Sequence, residues 1–272
     1  MNTPIRDKVL LCIDNIAGLE SLRYLAQRPS VEVVAVIVHP EANAVQLDEI
    51  LALCERHAIP AIDVLDARAR FDELIVPLAP DFIVSIYFDY ILDDRFLALA
   101  AKDSINLHPG YLPYNKGFYY YAWAVLDGTP AGVSIHRIET AVDAGPIISQ
   151  MRVRVEGTDT GDIIYDKHMD ASIELFRTTW PSIETGTYRL FRQRHGGTRK
   201  KITETTAAME IDPDATYVAR ELIDLLRTFS FRGEGGCLMQ IDGKKYSIGI
   251  EFSELVDNVN QVRGKRDNYL VG

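Results

Sequence analysis

Short apolar runs alternate with amphipathic stretches along most of the chain. Residues 8–13, 31–38 and 81–87 are almost continuously apolar, the pattern of strands buried on both faces. Between them, residues 19–27, after residues 14–18, and residues 43–57 are predicted as helices, and a short segment over 59–64 follows the second. Further strands are predicted over 104–108, 132–138 and 146–155, with a helix over 118–126 stopped by Asp127-Gly128-Thr129-Pro130. Thr160 is placed to cap a long helix, with Asp162 in its first turn. Along that helix Tyr165, Met169, Ile173, Phe176 and Trp180 recur at steps of three and four, a core stripe. Alternating strands and helices of this kind predict an α/β fold with a mixed, mostly parallel sheet.

The stretch richest in chemistry follows the 104–108 strand. Alternate side chains of a strand share a face, so Asn106 and His108 point together while Ile105 and Leu107 pack behind them. Pro109-Gly110 ends the strand, because proline cannot donate to a ladder. Polar residues at a strand end that opens into a loop are where an open α/β sheet presents its site. Asp143-Ala144-Gly145 follows the 132–138 strand and can reach the same place. Together Asn106, His108 and Asp143 offer a carbonyl polariser, a general base and a carboxylate to orient it. The segment 87–92 opens a second strand end onto that crevice, its Tyr87, Phe88 and Tyr90 either packing residues or pocket walls. Lys116 and Asn115 are either contacts to an acceptor's phosphate or sugar, or part of a solvated loop. His136, mid-strand, is read as structural or pocket-lining, and the remaining histidines show no metal-ligand spacing.

Composition changes near residue 190. Arg189, Arg192, Arg194, Arg199, Lys200 and Lys201 surround His195-Gly196-Gly197, which reads either as a solvated linker or as a phosphate site. A boundary placed here divides the chain into 1–190 and 191–272. The second part holds an amphipathic helix over 217–229, with Leu222, Leu225, Leu226 and Phe229 inward. Two strands follow, 237–241 and 245–250, joined by Asp242-Gly243, a strong hairpin signal. A lone hairpin is marginal in water, so this one is expected to pack on the first unit or pair with a second copy, giving a homodimer. With 29 basic against 39 acidic residues the net charge is −10, which disfavours a nucleic-acid partner. Cys12, Cys54 and Cys237 form no close pair and are read as core residues of a reduced, cytoplasmic protein. The N-terminus has no signal-peptide shape, and no run is long enough to span a membrane. Gly-x-Gly-x-x-Gly is absent after the first strand, which removes the case for a dinucleotide-binding dehydrogenase.

Asn106-x-His108-Pro109-Gly110, the segment Leu112-Pro113-Tyr114-Asn115-Lys116-Gly117, Gly132-Val133-Ser134-Ile135-His136 and Asp143-x-Gly145 together resemble the folate-dependent formyltransferases. Within that family the chain is most similar to the N-formyltransferases of nucleotide-linked sugars. The resemblance implies a Rossmann-like catalytic domain and a small C-terminal β-hairpin domain. It implies N10-formyltetrahydrofolate as co-substrate, with no metal, and a nucleotide-linked amino-dideoxysugar, dTDP the expected carrier, as acceptor for surface polysaccharide. Asn106, His108 and Asp143 would be catalytic. Tyr87, Phe88, Tyr90 and Ile91 would line the pterin pocket, and Tyr114, Asn115, Lys116, Gly117 and Tyr119 would meet the acceptor. Methionyl-tRNA formyltransferase is the nearest alternative; it needs a basic surface and a larger C-terminal barrel. Enzymes acting on glycinamide ribonucleotide would leave the hairpin unexplained, and a non-catalytic folate or nucleotide module would not need the base.

Overall fold

The computed structural model describes residues 6–194, 196–233 and 235–254, so residues 1–5, His195, Glu234 and the last eighteen positions lie outside the described residues. The chain opens with β1 (Asp7–Ile13), α1 (Asn15–Ala26), β2 (Val31–Val38), α2 (Leu47–Arg56) and β3 (Ala61–Asp63). Two short helices, α3 (Val64–Ala69) and α4 (Phe71–Leu74), lead to β4 (Phe82–Ile86). After α5 (Asp94–Leu97) come β5 (Asp103–His108), the two-residue β6 (Lys116–Gly117), α6 (Tyr120–Leu126), β7 (Gly132–Arg137) and β8 (Ile147–Arg152).

These strands build a seven-stranded sheet in the order β3-β2-β1-β4-β5-β7-β8. The pairs from β3 through β5 are parallel, whereas β7 and β8 run antiparallel to their neighbours. Continuous apolar runs fit this sheet because both faces are covered. Val9, Leu11 and Ile13 of β1 face a core shared with α1 and with Phe176 and Trp180 of α7 (Gly161–Glu184). Leu10 and Cys12 face the other core, with Val64, Phe71 and Phe96. The stripe on α7 is core as expected, with Met169, Phe176 and Trp180 buried. The chain order reverses between β1 and β4, and the strand ends there and at β5 open onto one crevice.

The basic stretch after α7 is not a free linker. Phe191 exchanges two main-chain hydrogen bonds with Ile147 on the outer strand β8. A two-residue strand, β9 (Arg199–Lys200), pairs parallel with β6, which neither composition nor periodicity indicated. Beyond it lie α8 (Ile202–Ala208), β10 (Glu210–Ile211), α9 (Ala219–Phe229), β11 (Cys237–Ile241) and β12 (Lys244–Ile248). The hairpin turns at Asp242 and Gly243, φ 49° and 76°, the left-handed pair a two-residue turn requires. It is not a lone hairpin, because β10 pairs with β11 and makes a three-stranded sheet. Phe229 and Cys237 then bury against Tyr120, Tyr121 and Ile164, which docks the C-terminal segment on the first unit. All three cysteines are free and buried, and burial pushes the Cys54 and Cys237 thiols up to about 11. Among the described residues no helix is long and apolar enough to cross a membrane.

Candidate active site

His108, at the end of β5, is buried, and its Nδ1 lies 3.5 Å from Oδ1 of Asp143. Asp143 comes from the loop after β7 and holds a left-handed backbone, φ 54°, uncommon for a residue with a side chain. Its carboxylate is also 3.6 Å from Nε2 of His136. The antiparallel register sets Asn106 directly opposite His136, and the Asn106 amide nitrogen is 3.2 Å from His136 Nε2. His136 Nδ1 is 2.8 Å from the Arg137 carbonyl, which only accepts, so Nδ1 carries the proton and Nε2 accepts from Asn106. This fixes the nitrogen end of the Asn106 amide and leaves its second N–H for another acceptor. His136 therefore orients the Asn106 amide and also lines the cavity, within the structural or pocket-lining part expected for it.

Electrostatics divide the charges between the two groups. Burial pulls the His108 imidazolium below its ordinary value; Asp143 opposes this and His136 adds to it. Burial alone would raise Asp143, but the facing His108 imidazole counters it, and the carboxyl is held below the usual carboxylate range. At neutral pH the arrangement is an ionised Asp143 beside a neutral, proton-accepting His108. On the far side of the ring, Nε2 is 3.1 Å from the main-chain carbonyl of Asn115, which stabilises a proton once Nε2 carries one. Gly110 makes this packing possible: a Cβ there would lie 2.6 Å from His108 Nε2.

Asn115, read from sequence as an acceptor contact or as part of a solvated loop, braces its own loop. It is buried, its amide donates to the Pro130 carbonyl at 3.2 Å, and its Oδ1 accepts from Thr129 at 3.0 Å. The loop around it is braced by Ser134, which accepts from Leu112 N at 3.0 Å and donates to the Gly110 carbonyl at 2.6 Å.

A cavity of about 520 Å³ connects these groups. Asn106, His108, His136 and Asp143 line it, as do Tyr87, Phe88, Tyr90 and Ile91 at one end and Gly117 and Tyr119 at the other. Tyr114, Asn115 and Lys116 are not among the lining residues. The Tyr87 hydroxyl turns away to Ser172 on α7, 3.1 Å distant, so Tyr87 shapes the wall. Phe88 and Tyr90 pack on the ring of His39, whose Nε2 accepts from Asp89 N at 3.1 Å.

Gln193 was not indicated by the sequence. Its amide donates to the main-chain carbonyls of Asp143 and Gly145, both at 2.8 Å, and so holds the loop that aims the carboxylate. No pattern marks such a residue, because its partners are main-chain atoms.

The family described as formyl transferase matches residues 17–179, which include the whole β5 corner and Asp143. The chain belongs to the formyl transferase family. A second match, to a C-terminal N-formyltransferase dimerization domain, covers residues 204–254. Solved structures agree in fold. A 4-N formyltransferase from Francisella tularensis is 22% identical, with a TM-score of 0.79 over 92% of this chain and 99% of that one. A sugar N-formyltransferase from a Shewanella species is 21% identical, with a TM-score of 0.77 over 92% of this chain and 99% of that one. The N-formyltransferase from Helicobacter canadensis, in complex with folinic acid and dTDP-3-aminofucose, is 21% identical, with a TM-score of 0.65 over 88% and 85%.

Proposed function

We propose that the protein transfers the formyl group of N10-formyltetrahydrofolate to the amine of a nucleotide-linked amino-dideoxysugar, with dTDP as carrier and surface polysaccharide as destination. The observation that carries the reading is the convergence of Asn106, His108 and Asp143 on one wall of a single cavity. The Helicobacter relative binds a folate and a dTDP-linked amino sugar, which supports the same pair of substrates here. Tyr87, Phe88, Tyr90 and Ile91 line the end suited to a pterin. Tyr119 and Gly117 stand at the acceptor end.

In this scheme the amine nitrogen attacks the formyl carbon, and the free N–H of Asn106 stabilises the oxyanion that develops. His108 takes the proton lost by the amine, and the imidazolium is balanced by Asp143 and the Asn115 carbonyl. Collapse breaks the bond between carbon and the folate N10, and His108 returns its proton to that nitrogen. We place the division between catalytic and C-terminal parts near residue 190, with 191–200 serving as a strap for the first. The C-terminal part is the homodimer surface in this reading, supported by the family matched over 204–254 and by Ile241 and Tyr246, exposed at 42% and 47%. A net charge of −10 weighs against a tRNA acceptor.

Incubation with N10-formyltetrahydrofolate and a panel of nucleotide-linked amino sugars, read by mass spectrometry, tests the proposal. One member should gain a single formyl group. Preferential formylation of methionyl-tRNA or glycinamide ribonucleotide would overturn it.

A further inference from the structure

The pairing of β6 with β9 brings cations from distant parts of the chain to the acceptor end of the cavity. Lys116 stands opposite Arg199, and Gly117 opposite Lys200. The approach is close: Gly117 has φ 89°, and a Cβ on it would meet the Lys200 carbonyl at 2.6 Å. Main-chain bonds lock the junction, since Asn115 N donates to Thr198 Oγ1 at 2.8 Å and Lys116 N to the Thr198 carbonyl at 3.0 Å.

Lys200 is already committed. Its ammonium lies over the Trp123 ring, 3.9 Å from the centroid, and 3.4 Å from the Asp127 carboxylate. Lys116, Arg199 and Lys201 make no ion pair with any of the described residues. Arg199 and Lys201 are exposed, and both line the cavity. Burial pulls the Lys116 ammonium down; Asp143 opposes this and the neighbouring Arg199 adds to it. Holding like charges together is unfavourable until an anion joins them. The other end of the cavity carries Asp89 and Glu139, so the potential along it is graded from acidic to basic.

We propose that Lys116, Arg199 and Lys201 form a diphosphate subsite, which grips the acceptor's nucleoside diphosphate while its sugar amine reaches His108. Guanidinium pairs phosphate oxygens in a bidentate fork, and the two ammonium groups add point charges around it. The inference rests on the nucleotide-sugar reading above and adds which residues hold the carrier. The carboxylates of a folate glutamate are the other anion that could reach this cavity.

Calorimetric titration separates these cases, with thymidine diphosphate, inorganic pyrophosphate and 5-formyltetrahydrofolate as separate ligands. Arg199→Gln and Lys201→Gln should each weaken thymidine diphosphate about tenfold, and the double variant about a hundredfold, with pyrophosphate following the same order. Lys116→Met should act in the same direction, 5-formyltetrahydrofolate should bind all variants within about twofold of wild type, and Arg192→Gln should change neither ligand. Wild-type binding of thymidine diphosphate that survives intact in the double variant overturns the subsite alone. Loss of the folate ligand in its place assigns the cations to folate and also overturns it. A wild-type protein that binds no nucleoside diphosphate sinks the nucleotide-sugar reading and the subsite with it. Arg199 and Lys201 are exposed, so unchanged melting temperatures serve as the folding control.

Discussion

The two sheets of this protein are built on opposite terms. In the seven-stranded sheet β4 is buried along its whole length, and the last five residues of β1 are buried too. In the three-stranded sheet the first four residues of β12 are exposed, and β11 buries only Cys237. A strand covered on both faces fixes its register, since a slip of one residue would move its whole side-chain set to the opposite face. The groups proposed to react therefore sit where geometry is over-determined: Asn106 and His108 on β5, with His136 on β7 directly opposite Asn106. The exposed sheet cannot gain much stability from its own burial, and it has surface left to offer a partner. Between them runs the 191–200 strap, which holds the Asp143 loop through Gln193 and pairs with β6 at the Gly117 end of the cavity.

If that contrast is right, substitutions on the large sheet should affect chemistry and those on the small one association. The largest loss is expected from His108→Asn, which keeps the shape but cannot take a proton at neutral pH. Turnover should fall about 10²–10⁴-fold while folate binding, followed by fluorescence titration, stays close to wild type. Asn106→Ala removes the oxyanion donor and should lower kcat on the order of 10²–10³-fold with KM little changed. Next comes Gln193→Glu, nearly the same shape but without a donor for the carbonyls of Asp143 and Gly145. Steady-state kinetics should show kcat reduced about 10-fold or more with KM held, as expected for a misplaced orienting group. An unchanged kcat would remove the strap from the active site. The smallest catalytic effect is expected from Tyr246→Glu, on the exposed face of β12, which should weaken self-association in light scattering and leave per-subunit turnover within about twofold.

Burial patterns made the large sheet legible. Residues 8–13 and 31–38 read as strands covered on both faces, and the Asn106-x-His108 alternation puts two side chains on one face from sequence alone. Asp242-Gly243 announced the hairpin because few sequences tolerate two left-handed residues in succession. What could not be read depends on contacts between distant segments. The pairing of His136 with Asn106 is a matter of register between strands thirty residues apart in sequence. Gln193 acts through main-chain carbonyls, and β6, β9 and β10 are two-residue strands too short to have a period. Asn115 shows the same limit: its bracing bonds to Pro130 and Thr129, and the approach of its carbonyl to His108, leave no mark in a glycine- and proline-rich loop sequence.

The most direct test of a neutral His108 as base is the pH dependence of kcat/KM with the true acceptor, compared between wild type and His108→Asn. Burial holds the His108 imidazolium below its ordinary value, so the basic form should be present through neutrality and lost only as pH falls below about 6.5. The wild-type profile should therefore be flat near pH 7 and decline on the acid side with a slope of about one, and the residual activity of His108→Asn should lack that decline. An acid limb that persists unchanged in His108→Asn would show that another group takes the amine's proton, and would contradict the account.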